Sequence, residues 1–363
     1  MARLLTPTAL RRGFALFLLI SLVGYAAVVL YGRDAGAFLP SLSRIQWSWV
    51  MVGLGLALLD WVGGGVRLWV LAREVHPRPS MAGLILAGGM GAWGGYVTPM
   101  QAGASPMMIF AMKRIGIPVA KGMTITLMSF FATVIFFAIS GPLALAMGAG
   151  SFLGTRGDLM GLSLLDLFKG SMGIFALLSL VLLSVMVVPG WITGIVRATA
   201  AWLSRRSRRL AARLESVEAG IVTIQESMQT FNTRRGWIAL GWATLISGPN
   251  HANKLLAGYV ALRAIGIEAN FVDVLLLQTL ITFLLYFAPT PGASGVAEVL
   301  SAAVMSVYLP RELTPLYTII WRLILSWFTI AAGFFVFSSW VREGLRGVEV
   351  EPTDCAPKAV RLP

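Results

Sequence analysis

The sequence predicts an all-α polytopic membrane protein: six spanning helices plus two re-entrant helical hairpins in an inverted-topology repeat. Three observations predict it. Hydrophobic residues make up 57% of the 363 residues and charged residues only 12%, against about 25% charged in a soluble domain. Apolar runs of roughly 20 residues, enough to cross the hydrocarbon core as helix, recur along the chain. The chain also matches itself at a constant offset. A barrel is not expected, because the runs are continuous rather than alternating.

The first run, 13–30, follows Arg3, Arg11 and Arg12. It resembles a signal peptide but exceeds the roughly 7–15 residues of the usual apolar region, so it reads as a retained span. Five more full spans follow near 47–71, 120–147, 170–190, 236–260 and 315–341. The stretches 81–112 and 271–308 are too long for one span and too short for two. Each reads as two half-helices that enter and leave on one side, with irregular backbone tolerated where protein buries it or water lines it. The expected transmembrane domain is 1–341, with halves at about 47–147 and 236–341, and 342–363 is a short cytoplasmic tail.

Charge orients this layout through the positive-inside rule. The assigned cytoplasmic side carries three Arg before the first span, two in 72–80, three Lys/Arg in 113–121, eight in 191–235 and four in the tail, 20 of the 29. The outer loops carry six, and Arg67, Lys254 and Arg322 fall within spans. Both termini are therefore expected in the cytoplasm, and the chain in the cytoplasmic membrane. The cluster Arg205, Arg206, Arg208, Arg209 and Arg213, followed by Glu215 and Glu218, suits a helix lying on anionic headgroups; a partner-docking role is the lesser reading. The net charge of +13 does not point to nucleic acid, because no recognition motif or stacking aromatics accompany it.

The internal repeat has an offset of 190. Trp47 pairs with Trp237, Val70 with Val260, Arg73 with Arg263, Leu86 with Leu276, Tyr96 with Tyr286 and Pro99 with Pro289. One residue then drops out, and Gly103, Ala104 and Ser105 match Gly292, Ala293 and Ser294. The shared Tyr-x-x-Pro followed by Gly-Ala-Ser falls at the break of both hairpins. Three spans separate the starts of the copies, so the second copy is inverted, as in alternating-access transporters.

The breaks carry chemistry. Proline removes a backbone donor and glycine permits tight reversal. Pro99, Gly103 and Pro106, and Pro289, Pro291, Gly292 and Gly295, should open the helices near mid-membrane. Each half-helix that restarts offers unpaired N–H groups and a positive dipole end, which favour phosphate or carboxylate. Tight packing without a ligand is the alternative.

Ionisable groups inside spans are functional candidates. Asp60 and Arg67 lie seven apart on one helical face and read evenly as an ion pair or as a substrate or coupling site; snorkelling is a further reading of Arg67. Asn250 stands where the repeat places Asp60, within a string holding Pro249, His251, Asn253 and Lys254 that suggests a kinked, hydrated helix. His251 alone reads better as a satisfied histidine than as a proton carrier. Glu298 and Arg322 read either as a structural ion pair or as a substrate or coupling site. The candidate substrate-binding set is Arg67, Pro99, Gly103, Ser105, Lys254, Pro289, Pro291, Gly292, Ser294, Gly295, Glu298 and Arg322. Asp60, Asn250, His251 and Asn253 are candidate coupling or polar support.

No enzyme constellation appears, and no cofactor or metal is expected. The chain has two histidines, His76 and His251, and one cysteine, Cys355, too few for a zinc site; Cys355 reads as a bystander thiol. Gly63, Gly64 and Gly65 lack a Walker lysine and read as helix packing.

The segment PTPGASGVAE at 289–298, with Arg322 downstream, resembles the proline-glycine-glutamate signature of the flippase-like membrane domain, also described as the lysylphosphatidylglycerol synthase transmembrane region. The string RLW from Arg67 and the segment TPMQAGASPMMIFAMKRIGIP at 98–118 are similar to its earlier motifs. The resemblance covers most of 13–341. It implies movement of lipid headgroups across a bilayer, in pathways of aminoacylated phospholipids, polyprenyl-linked sugars or hopanoids. It maps Glu298 onto the signature glutamate and Arg322 onto the downstream arginine. One departure stands out: where the first family motif commonly has glutamate before proline, this chain has Ser105 before Pro106, which points to a different headgroup. Only a short tail follows 341, so an aminoacyl-transfer domain and lipid synthesis are not expected.

The leading expectation is translocation of an anionic or phosphate-bearing lipid, a membrane phospholipid or an isoprenoid lipid, between the two hairpins. A secondary transporter of a small anion and a non-transporting scaffold for lipid-synthesis enzymes are the rivals. A lipid-synthesis enzyme is the expected protein partner.

Overall fold

A computed structural model describes residues 19–20, 22–26, 42–149, 158–159, 162–188, 190–204, 222, 224–286 and 288–337. Most of the first predicted span, the basic cluster 205–213 and the tail 342–363 lie outside the described residues. Apart from a two-residue antiparallel pair, Asp158–Leu159 with Leu162–Ser163, the described secondary structure is helical.

In chain order the helices are α1 (Trp47–Val75), α2 (Met81–Tyr96), α3 (Ala104–Arg114), α4 (Val119–Ala144), α5 (Leu164–Val187) and α6 (Trp191–Ser204). Then come α7 (Arg234–Asn250), α8 (Ala252–Ala264), α9 (Phe271–Leu285), α10 (Val296–Met305) and α11 (Thr314–Arg322). Helix α11 runs through a π-turn, Leu323–Trp327, and is helical as far as the last described residue, Phe337. Among the described residues, four helical stretches are long and apolar enough to cross a membrane: Trp47–Val75, Val119–Gly148, Phe168–Val187 and Arg311–Phe337. They contain, or closely follow, four of the six predicted spans.

The span predicted at 236–260 is not one continuous helix. Pro249 has no N–H to donate, and His251 leaves helical geometry at φ −104°, ψ 8°. Helix α7 stops there and α8 restarts at Ala252. The expected kink is thus a full break, with polar side chains on both sides of it.

Both breaks predicted in the apolar stretches are present. Helix α2 ends at Tyr96 and α3 begins at Ala104; α9 ends at Leu285 and α10 begins at Val296. Met100, Gln101 and Ala293 have positive φ, at 50°, 55° and 56°, a conformation costly for residues with a Cβ. The two breaks meet: Pro99 and Pro291 form an isolated antiparallel bridge. Helices α2 and α9 start at Met81 and Phe271, the same 190-residue spacing read from the sequence.

Local signals set the other boundaries. Ser80 caps α2 by accepting from the Gly83 N–H at 3.2 Å. Thr233 caps α7 through the Gly236 N–H at 3.0 Å. Asn270 caps α9 by accepting from Val272 and Asp273 at 2.9 and 3.2 Å. Such caps satisfy donors that a helix start leaves unpaired.

Helix α1 is the axis of the packing, touching α2, α4, α7 and α8. One apolar core, with Leu68, Met90 and Phe131, fills the first half against α7. The other, with Phe137, Phe283 and Trp321, joins α8, α9, α10 and α11 to α4 and α5. The polar site lies where α1 meets the α7–α8 break.

Candidate functional site

Asp60 and Arg67 are two turns apart on α1, so both project to the same face. The three glycines between them let neighbours come close. A Cβ on Gly63 would stand 3.0 Å from Asn250 Cα, and one on Gly65 would stand 2.2 Å from Ile85 Cα. Helix α7 closes on one side of α1 and α2 on another, so Gly63, Gly64 and Gly65 act in packing, as read from the sequence.

The two charges do not pair with each other, so the ion-pair reading of their spacing fails. Asp60 takes Lys254 as its ion partner, with Nζ 3.3 Å from Oδ1. The Asn250 amide donates to the Asp60 carbonyl oxygen at 2.8 Å and to Oδ1 at 2.9 Å. Asn253 reaches Asp60 Oδ2 at 3.5 Å and the Leu325 carbonyl, inside the π-turn, at 3.4 Å. The physical reason is reach. The α7–α8 break brings three polar side chains onto the carboxylate, while Arg67 is held by hydroxyls of α4 and α7.

Arg67 does not snorkel either; it is only 9% exposed. Its Nη1 donates to Thr133 Oγ1 at 2.7 Å and to Ser247 Oγ at 3.1 Å, both neutral. Among the described residues no carboxylate lies within ion-pair distance of it, and its buried Nε makes no hydrogen bond.

These groups surround a cavity of about 110 Å³, which Asp60, Arg67, Asn250, His251 and Lys254 line with Tyr96, Gln101 and Tyr286. A smaller space of about 40 Å³ adjoins it and is lined by both breaks, including Gln101, Thr290 and Gly292. Tyr96 and Tyr286, one from each repeat copy, border both spaces. The Lys254 ammonium lies 5.8 Å from the Tyr96 ring centroid. The Tyr96 hydroxyl is close to Lys254 and Asn253, but in hydrogen-bond geometry with neither. Tyr286 is tied to His251, Oη to Nε2 at 2.8 Å, and His251 Nδ1 lies 2.8 Å from the Ser247 carbonyl oxygen. That carbonyl takes an Nδ1 proton, leaving Nε2 to accept from Tyr286. His251 is satisfied, as its simpler reading held.

The second break is held by the protein's own ions. Arg322 and Glu298 are both wholly buried, with Nε 3.0 Å from Oε1. Arg322 also donates to the Gly292 carbonyl at 3.1 Å and to Ser294 Oγ at 3.4 Å. The Gly295 N–H donates to Glu298 Oε2 at 2.7 Å. The start of α10, read as an open anion site, is therefore occupied by the Glu298 carboxylate. At the first break the Gly103 N–H is taken by Thr98 Oγ1 at 2.8 Å.

The cavity thus gathers Arg67, Lys254, Asp60, Asn250 and His251, with Asn253 just behind and Gly292 in the adjoining space. Pro99, Gly103, Ser105, Pro289, Pro291, Ser294, Gly295, Glu298 and Arg322 shape the breaks without lining either space. Sequence reasoning passed over Tyr96, Tyr286 and Gln101 as site residues. The repeat had already marked both tyrosines, so their signal was present. Thr133 and Ser247, which hold Arg67, had none, since a hydroxyl in an apolar helix is usually bonded to its own backbone; Ser247 is also bonded in this way.

Among the described residues no three His, Cys, Asp or Glu are grouped to hold a metal ion. What the arrangement offers is a small polar chamber with two cations and one carboxylate. No curated protein matches the chain. The family described as the lysylphosphatidylglycerol synthase TM region matches residues 13–333. With nine-tenths of the chain matched and long apolar helices around a buried polar chamber, the protein is a membrane-embedded member of the lysylphosphatidylglycerol synthase transmembrane-region family.

Proposed function

We propose that this protein carries an anionic, phosphate-bearing lipid headgroup across the cytoplasmic membrane without changing it covalently. One observation carries the reading: Arg67 is buried in the central cavity with no acidic partner among the described residues. An uncompensated buried cation is costly. An anion entering the cavity would remove that cost and find the Arg67 Nε and the Tyr96 hydroxyl as free donors. At about 110 Å³ the chamber suits a headgroup phosphate, leaving acyl or prenyl chains in lipid. The family's link to lipid handling supports this choice over a free small anion.

In this reading the broken stretches 81–114 and 271–305 are re-entrant hairpins from opposite sides, with both termini cytoplasmic. The Pro99–Pro291 contact is the closed meeting of their tips. Arg322 and Glu298 clamp the second tip, and Lys254 with Asp60 supports the chamber wall. Partner enzymes of lipid synthesis would supply the cargo.

Reconstitution into vesicles containing head-labelled phosphatidylglycerol tests it. Arg67→Gln should slow headgroup transfer by about tenfold or more, as expected for loss of a bond between charged groups, with the protein still folded. Transfer at the wild-type rate in Arg67→Gln would sink the assignment. Transport of free inorganic phosphate but not of lipid would establish the small-anion rival.

A further inference from the structure

A second groove, about 360 Å³, lies between the C-terminal turns of α1 and the first turns of α7. It shares no lining residue with the central spaces. Its two ends differ in character. At one end stand Arg73 and Arg235, both exposed, with Glu74 beside them. Neither arginine has a carboxylate within ion-pair distance among the described residues. The Arg73 guanidinium is steadied over Trp69, 4.7 Å from its ring centroid, and tryptophan favours the headgroup level of a bilayer.

Away from the charges, α7 contributes Ile238, Trp242 and Ile246 to the groove. Their spacing of four puts them on one helical face, an apolar lane about 12 Å long at 1.5 Å per residue. Ile238 and Trp242 are 53% and 56% exposed, so nothing described covers the lane. A two-cation, one-carboxylate end joined to an apolar lane has the polarity of a phospholipid.

We propose that this groove is a peripheral site for an anionic phospholipid. The phosphate lies between Arg73 and Arg235, and one acyl chain runs along Ile238, Trp242 and Ile246. The site is independent of the central cavity and of what the cavity carries. Glu74 opposes the headgroup, limiting its residence so that lipid can exchange.

The test is native mass spectrometry of the full chain in detergent, titrated with phosphatidylglycerol or phosphatidylcholine. It is run in the wild type and in Arg67→Gln, so that lipid in the central cavity is counted separately. Phosphatidylglycerol should bind in preference in both backgrounds. Arg73→Gln and Arg235→Gln should each weaken it about fivefold and leave phosphatidylcholine unchanged. Glu74→Gln should tighten it, a gain that misfolding cannot mimic. Excess inorganic phosphate should not displace the lipid. Equal binding of the two lipids, wild-type affinity in the double arginine variant, or displacement by phosphate overturns the proposal. So does a lipid-free dimer that Trp242→Ser dissociates, which would make the groove an interface between copies.

Discussion

Asn250 and Asp60, which the internal repeat places in equivalent positions, touch in the folded protein. The Asn250 amide spends both protons on Asp60, one on the backbone carbonyl at 2.8 Å and one on the carboxylate at 2.9 Å. Two residues that match at the 190-residue offset therefore meet beside the chamber. The broken α7–α8 helix makes this possible, because its last helical residue before the break is Asn250. Replacing Asn250 by leucine should cost about 2–3 kcal/mol, the loss expected when a buried charged acceptor is stripped of a donor. Asn250→Asp should cost more, since two carboxylates would then share one site. Denaturant unfolding in mixed micelles reads both, and the order of the two losses is the test.

The Arg322–Glu298 pair predicts a strongly non-additive response. Both side chains are wholly buried, and removing one partner strands the other's charge. Glu298→Ala should destabilise by about 3–5 kcal/mol, whereas replacing both partners by leucine should cost less than Glu298→Ala alone. A double-mutant cycle on unfolding midpoints measures this. Simple additivity would mean that the pair is not the clamp of the second break.

Helix α1 contains its own packing control. A Cβ on Gly65 would meet Ile85 Cα at 2.2 Å, while one on Gly55 would meet nothing within 4 Å. Gly65→Ala should destabilise by about 1–3 kcal/mol, because backbone must move. Gly55→Ala should be neutral or stabilising by up to about 1 kcal/mol, from helix propensity alone. Thermal unfolding of the two variants side by side separates close packing from a general effect of losing glycine.

Much of the helix order was legible in the chain. Four apolar runs reappear as four helices able to span a membrane, because hydrophobicity over some 20 residues is local and needs no partner. The breaks after Tyr96 and Leu285 were legible for the same reason: proline and glycine act on the backbone where they stand. The break at His251 was underestimated as a kink. Pro249 signalled a disturbance, but its depth depends on the polar partners that take up Asn250, Asn253 and Lys254.

Pairing was where local reading failed. Asp60 and Arg67 share a helix face, and spacing alone favours them as a pair. Lys254, which spacing could not place, comes within 3.3 Å of Asp60 and leaves Arg67 to two hydroxyls. Glu298 and Arg322, read either as an ion pair or as a site, form the ion pair: Glu298 caps α10 and neutralises Arg322 at 3.0 Å instead of facing the chamber.

By itself, then, the sequence determined that the chain lives in lipid, where four long apolar helices fall, where two apolar stretches break and which residues match at the 190-residue offset. These follow from composition, local backbone chemistry and self-similarity. Tertiary structure alone decided that Lys254 has a carboxylate partner while Arg67 is held by two hydroxyls. That depends on distances between side chains 66 to 194 residues apart in the chain, and on glycines that let three helices approach closely enough for them to meet.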